Sequence, residues 1–233
     1  MTSTQTIFAP LFIAATALFV WSCWKRLSLT ALGKPDDRLD DIGQRVGDTL
    51  RYAFAQVRVL HKPYGIVHLA IFWCFLVLMA ANAEFILHGL FPAISMELLP
   101  TILYVPLVLS IEVASLVALV AVSIAMVRRL VAPPYPEART FEAFFILFLI
   151  GLLMAAYFTM NAATISWLQG YLNVAQQKGN TNLAGQIQNA LSAMTGTMPV
   201  AERLAALISP ARAKQVHDLS WWTHALVLLL FMN

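Results

Sequence analysis

Charge and cysteine are both scarce in this chain. Of its 233 residues 12% are charged and two are cysteine, while 60% are hydrophobic. A soluble domain carries about 25% charged residues, so a freestanding soluble enzyme is excluded, and the apolar runs leave no room for a large soluble catalytic domain. Cys23 and Cys74 lie in separate apolar runs with no CxxC spacing, so this chain alone supplies no iron–sulfur or zinc site. Both read as small buried side chains. No basic residues precede the first apolar run, whereas Lys25 and Arg26 follow it. That order fits a first span with its N-terminus outside rather than a cleaved leader. Aromatic residues do not interleave with Lys or Arg, so the net charge of +3 points to basic loops beside membrane lipid and not to nucleic acid.

What is abundant is apolar sequence. A spanning helix needs about 20 apolar residues, and runs at about 7–24, 65–94, 99–126 and 141–167 qualify, with a fifth starting at about 219 and still apolar at Asn233. The fold expected is an all-α five-helix transmembrane bundle, its last helix cut short and continuing in a longer protein. Loop 30–63 carries Lys34, Arg38, Arg45, Arg51, Arg58 and Lys62, the loop after the third run carries Arg128, Arg129 and Arg139, and the loop near 91–100 has no Lys or Arg. The positive-inside rule makes the first and third loops cytoplasmic and the polar 168–218 loop external.

Within the first loop, residues 33–36 read as a turn. Leu39, Ile42, Val46, Leu50, Phe54, Val57 and Leu60 then recur at helical spacing, which predicts one amphipathic helix on the membrane surface or against a cytoplasmic partner. In the fourth loop a short helix is expected at about 201–208. Ser209 followed by Pro210 reads as an N-cap with proline at the first helical position.

Imidazoles are costly in hydrocarbon and usually have work to do there. His68 and His88 stand near the two ends of the second run, and His224 lies just inside the fifth, behind Trp221 and Trp222. Neutral imidazoles from facing helices are also what holds haem iron in a helical bundle. Because the second and fifth spans run in opposite directions, His88 and His224 match in depth, whereas His68 needs a partner beyond Asn233. All three are candidate iron ligands. His217, two turns before His224 on the same helical face, is a further cofactor-binding candidate, although Lys214 and Asp218 beside it also suit an interfacial residue. His88 before Gly89 could equally cap a helix end, and His61 reads as a surface residue. Glu112, between Ile111 and Val113, and Glu84 are carboxyls inside apolar runs. Glu112 is the candidate catalytic group, as a proton carrier to a quinone; the alternative is a protonated carboxyl paired with Ser110, Ser115 or a backbone carbonyl.

The stretch Gly65-x-x-His68 followed by Ile71-Phe72-Trp73-x-Phe75-Leu76-Val77-Leu78, and Asp218-Leu219-Ser220-Trp221-Trp222-x-His224 leading into an apolar helix, resemble bacterial membrane-bound iron–sulfur oxidoreductases. Those proteins begin with a module like the gamma (cytochrome b) subunit of respiratory nitrate reductase and continue into a cysteine-rich cytoplasmic part. The resemblance covers essentially the whole chain. It implies electron-transfer flavoprotein:menaquinone oxidoreductase activity, one or two b-type haems, iron–sulfur clusters outside this segment, and a multi-pass location in the bacterial inner membrane. At the inner ligand position of the nitrate reductase module His68 fits, and Leu78 stands where an outer ligand is expected. The function expected is therefore transfer of electrons from a cytoplasmic iron–sulfur domain, fed by reduced electron-transfer flavoprotein, to menaquinone. Two alternatives stay open: a cytochrome b subunit of another respiratory or sulfur-metabolism complex, and a haem-free structural anchor.

Overall fold

A computed structural model describes residues 3–34, 40–133 and 138–233. Its regular elements are all helical. In chain order they are α1 (Ser3–Thr30), α2 (Ile42–Thr49), α3 (Val57–Leu60), α4 (Gly65–Leu90), α5 (Thr101–Val131), α6 (Phe141–Gln177), α7 (Thr181–Thr195), α8 (Pro199–Ala205) and α9 (Pro210–Phe231). A π-helical turn, Leu50–Phe54, follows α2, and a 3-10 turn, Met96–Leu98, precedes α5. Among the described residues four helices, α1, α4, α5 and α6, are long and apolar enough to cross a membrane. They fit a multi-pass membrane protein. Helix α9 is 22 residues long and carries Arg212, Lys214 and Asp218 in its first half.

The helices form a ring. Helix α4 packs on α5, α5 on α6, and α6 on α9 in the most extensive contact of the bundle; α1 closes the ring against α4 and α9. Small residues allow this. Ala114, Ser115, Ala118 and Ala121 of α5 and Ala156, Ala162 and Ala163 of α6 are buried at the crossings, and small side chains let helix backbones approach in a medium that offers no hydrophobic drive between them. At Gly170 a Cβ would come within 2.8 Å of Pro210, so the crossing of α6 with the start of α9 requires glycine. Polar bonds tie the same pair: Thr159 Oγ1 and Ser220 Oγ lie 2.8 Å apart, and Ser166 Oγ donates to the Ile208 carbonyl at 2.6 Å.

The chain at 168–218 is not the polar loop expected from its composition. Helix α6 continues to Gln177, where Gly179 takes φ 68 and the amides of Gly179 and Asn180 bond back to Gln176 and Ala175. This is a Schellman stop. Asn180 then caps α7 by accepting from the Leu183 amide at 3.1 Å. Helix α7 folds back along α6, burying Ile187 and Leu191 against Leu172 and Ala175. The short helix expected at 201–208 is α8, displaced toward the N-terminus. Pro210 does begin α9, but Ser209 makes no side-chain cap.

The single amphipathic helix expected in the first loop is also broken. Its stripe passes through α2 and the π-helical turn, then stops at Gln56, whose φ of 48 and buried side chain turn the chain into α3. Periodicity cannot register such a break because it reads spacing and not backbone angle. Pro35, Asp36, Arg38 and Leu39 lie outside the described residues.

Candidate functional site

Between α4 and α9 on one side and α5 and α6 on the other lies a partly open cavity of about 640 Å³, within the ~300–1,000 Å³ of typical ligand sites. One wall comes from α4 and α9 and presents Glu84, Phe85, His88, His217, Trp221 and His224; another comes from α5 and α6 and presents Ser115, Tyr157 and Asn161. Met154, Met160, Met194 and Met198 fill apolar stretches of the lining.

The histidines expected at matching depth do share this cavity. His88 is in the last turn of α4, where its Nδ1–H donates to the Ile94 carbonyl at 3.0 Å. A carbonyl can only accept, so that bond leaves Nε2 as the lone-pair nitrogen. Metal-bound histidines are commonly oriented by such a bond to a backbone carbonyl. His224 is 4% exposed. Its ring lies 4.5 Å from that of Phe85, centroid to centroid, at 45°. Its Nδ1 makes no hydrogen bond of acceptable geometry, although the Leu153 backbone lies against the ring. His217 is half-buried, with Nδ1 3.2 Å from Asp218 Oδ1, while Lys214 Nζ reaches Oδ2 at 2.5 Å.

An aromatic cluster sets the position of this wall. Phe85 packs 5.1 Å from Trp221, which meets Phe8 of α1 edge-on at 5.3 Å and Trp222 at 5.0 Å. Gly89 makes the approach possible, since a Cβ there would stand 2.8 Å from the Phe8 ring. Trp221 is thus packed inside the bundle.

His68 is elsewhere. It is exposed in the first turn of α4, 20 residues from His88 and so about 30 Å away along the helix. Leu78, between them, is buried against α5 and α6 with Cys74 and Ile111. Among the described residues no three His, Cys, Asp or Glu side chains stand together as a metal cluster.

Glu112 is 1% exposed and does not pair with Ser110, Ser115 or a carbonyl. Its Oε1 accepts from the amides of Val200 and Ala201, both at 3.0 Å, at the start of α8. The carboxyl on α5 therefore holds a segment 88 residues later in the chain. The Tyr157 hydroxyl lies beside this carboxyl, yet neither Tyr157 Oη nor Glu112 Oε2 makes a hydrogen bond of acceptable geometry. Glu84, by contrast, lines the cavity and accepts from the Met96 amide at 3.4 Å. Sequence reasoning missed Tyr157 and Asn161 and read Ser115 only as a partner for Glu112, although polar residues inside an apolar run are themselves a signal.

No described protein family and no solved structure matches the chain. Two curated proteins are similar to it. One is the EtfAB:quinone oxidoreductase of Syntrophomonas wolfei subsp. wolfei, 26% identical over 226 residues, covering 95% of this chain and 30% of that protein. The other is the probable iron-sulfur-binding oxidoreductase FadF of Bacillus subtilis, 26% identical over 232 residues, covering 96% of this chain and 30% of that protein. The chain thus spans about a third of the length of these relatives. Their names describe oxidoreductases, one acting on quinone and one binding iron–sulfur. The likeness to a nitrate reductase gamma subunit finds no counterpart in these comparisons.

Proposed function

We propose that this chain is the membrane-spanning electron-transfer module of a longer oxidoreductase. It passes electrons from a cytoplasmic iron–sulfur domain to a quinone, menaquinone by the resemblance of its motifs, with reduced electron-transfer flavoprotein as the donor. In this reading α9 is a fifth span, the N-terminus is outside, loop 30–63 faces the cytoplasm, and α7 and α8 stand outside.

The observation that carries the reading is the meeting of His88 and His224 on one cavity from two different helices. Their chemistry fits b-type haem. His88 and His224 would hold the haem iron, one from each of two helices. His88 is already oriented by its bond to the Ile94 carbonyl, and His224 is buried with an unsatisfied ring nitrogen. Haem held by this pair would supply a one-electron Fe(III)/Fe(II) couple. The chain's own part is to hold both rings in place and to line the site with Phe85, Trp221 and the methionines. Glu112 serves in this reading as the brace of α8, a structural task in place of the proton carrier its position suggested.

A reduced-minus-oxidised optical spectrum of the purified full-length protein tests the proposal. A b-type α-band is expected in the wild type, and His224→Ala should abolish the part of it due to this site while the protein still inserts. A wild-type protein without any haem absorbance would leave the structural anchor as the better reading.

A further inference from the structure

The segment between α1 and α4 leaves an apolar stripe uncovered. Ile42 and Val46 of α2 and Leu50 of the π-helical turn follow one another at helical spacing, and each is more than half exposed. Helix α2 packs chiefly on that turn and not on the bundle. Asp48 projects from the opposite face of α2, two residues from Val46. The stripe runs on to Phe54, whose ring meets Phe72 of α4 edge-on at 6.4 Å. Phe72 stands about 10 Å along α4 from its start at Gly65. Gly65 fixes this placement, because a Cβ there would strike the Val59 carbonyl of α3.

The charges beside the stripe define the occupant. From Leu50 to Tyr64 the chain carries Arg51, Arg58 and Lys62 and no acidic residue. Among the described residues no carboxylate pairs with Arg51, Arg58 or Arg128. These guanidinium groups lie over tyrosine rings instead: Arg58 4.5 Å and Arg51 5.5 Å from the Tyr52 ring, and Arg128, at the end of α5, 3.5 Å from that of Tyr64. A guanidinium on a ring face keeps its N–H fork, which suits phosphate oxygens. We propose that this surface docks on anionic phospholipid, with Ile42, Val46 and Leu50 in the edge of the acyl chains and Arg51, Arg58 and Arg128 on the phosphates. Two features favour lipid over a protein partner. The Phe54–Phe72 contact puts the end of the stripe at a depth of α4 that matches the ~5–10 Å reached by interfacial helices, and the charge is complementary to an anionic leaflet. The surface needs only that α4 and α5 cross a membrane, and it stands independently of the haem.

Photocrosslinking tests the occupant. The full-length protein carrying Val46→p-benzoylphenylalanine is reconstituted in vesicles of equal parts phosphatidylcholine and phosphatidylglycerol, irradiated, and its adducts are identified by mass spectrometry. Lipid adducts are expected, with phosphatidylglycerol favoured about threefold or more. Adding Arg51→Gln and Arg58→Gln together should bring that ratio close to one while lipid adducts persist. Unsubstituted protein gives a second readout. By electron spin resonance it should immobilise spin-labelled phosphatidylglycerol about threefold more than spin-labelled phosphatidylcholine, and high salt should weaken the preference. Adducts formed chiefly with another part of the protein overturn the proposal, because the stripe is then covered by protein. No adduct at all, equal labelling of the two lipids, or a preference that survives the loss of both arginines would each overturn it as well.

Discussion

Helices α1 and α5 are both long and apolar enough to span a membrane, and they are packed in opposite ways. In the most apolar stretch of α5, 44% of the residues are buried; in that of α1, 6% are. Helix α5 lies between α4 and α6 and turns Ala114, Ala118 and Ala121 into those contacts, with Glu112 and Ser115 on the buried side. Helix α1 is held chiefly near Phe8, and leaves Leu18, Phe19, Val20, Trp21 and Trp24 exposed. Both are apolar enough to span, so being apolar does not by itself decide which helix is packed. In hydrocarbon, apolar side chains are equally at ease against lipid or protein, and the helices that pack closely are those with small residues and polar partners.

Removing a polar partner on α5 should break this contrast most severely. Glu112→Ala leaves the Val200 and Ala201 amides buried and unpaired, for an expected loss of about 2–6 kcal/mol at ~1–3 kcal/mol per group. Denaturant-driven unfolding in detergent measures it, and limited proteolysis should find new cleavage around α8. Glu112→Gln keeps an acceptor at Oε1 and should lose much less. Equal losses for the two variants would show that α8 does not depend on the hydrogen bonds.

Overfilling the close crossing comes next. Ala118 is 3% exposed, and Ala118→Phe should cost about 1–3 kcal/mol by forcing side chains and backbone apart, read in the same unfolding experiment. The smallest effect should come from α1. Val20→Leu changes a side chain that is 58% exposed, and a shift within about 0.5 kcal/mol is expected. A loss comparable to that of Ala118→Phe would mean that α1 is packed against something along its length, and the contrast between the two helices would disappear.

Much of this architecture is written in the apolar runs. Their lengths and separations mark the four long helices, and the opposed directions of the second and last helices bring His88 and His224 to one cavity. Proline at Pro210 marks the start of α9. The helical hairpin of α6 and α7 was hidden because Gln176, Gln177, Gly179 and Asn180 look like a polar linker. They are the Schellman glycine and the following cap, and only the apolar face of Leu183, Ile187 and Leu191 hints that the chain turns back. Glu112 was visible as a buried acid, but its partners are backbone amides, which have no letter in a sequence.

At 37 residues, α6 is about 55 Å long, whereas a hydrocarbon layer is about 30 Å thick. A bare apolar helix with that surplus would tilt or thicken the bilayer. Here the surplus is sheathed: α7 and α8 bury Ile165, Leu172 and Ala175 along the C-terminal half, and Thr140 caps the opposite end by accepting from the Ala143 amide. Helix α6 therefore behaves as a mast rooted in its own superstructure, its height set by protein contacts. A module built on it should keep its internal geometry as lipid chain length changes, while the loosely held α1 is the part left to follow the thickness of the membrane.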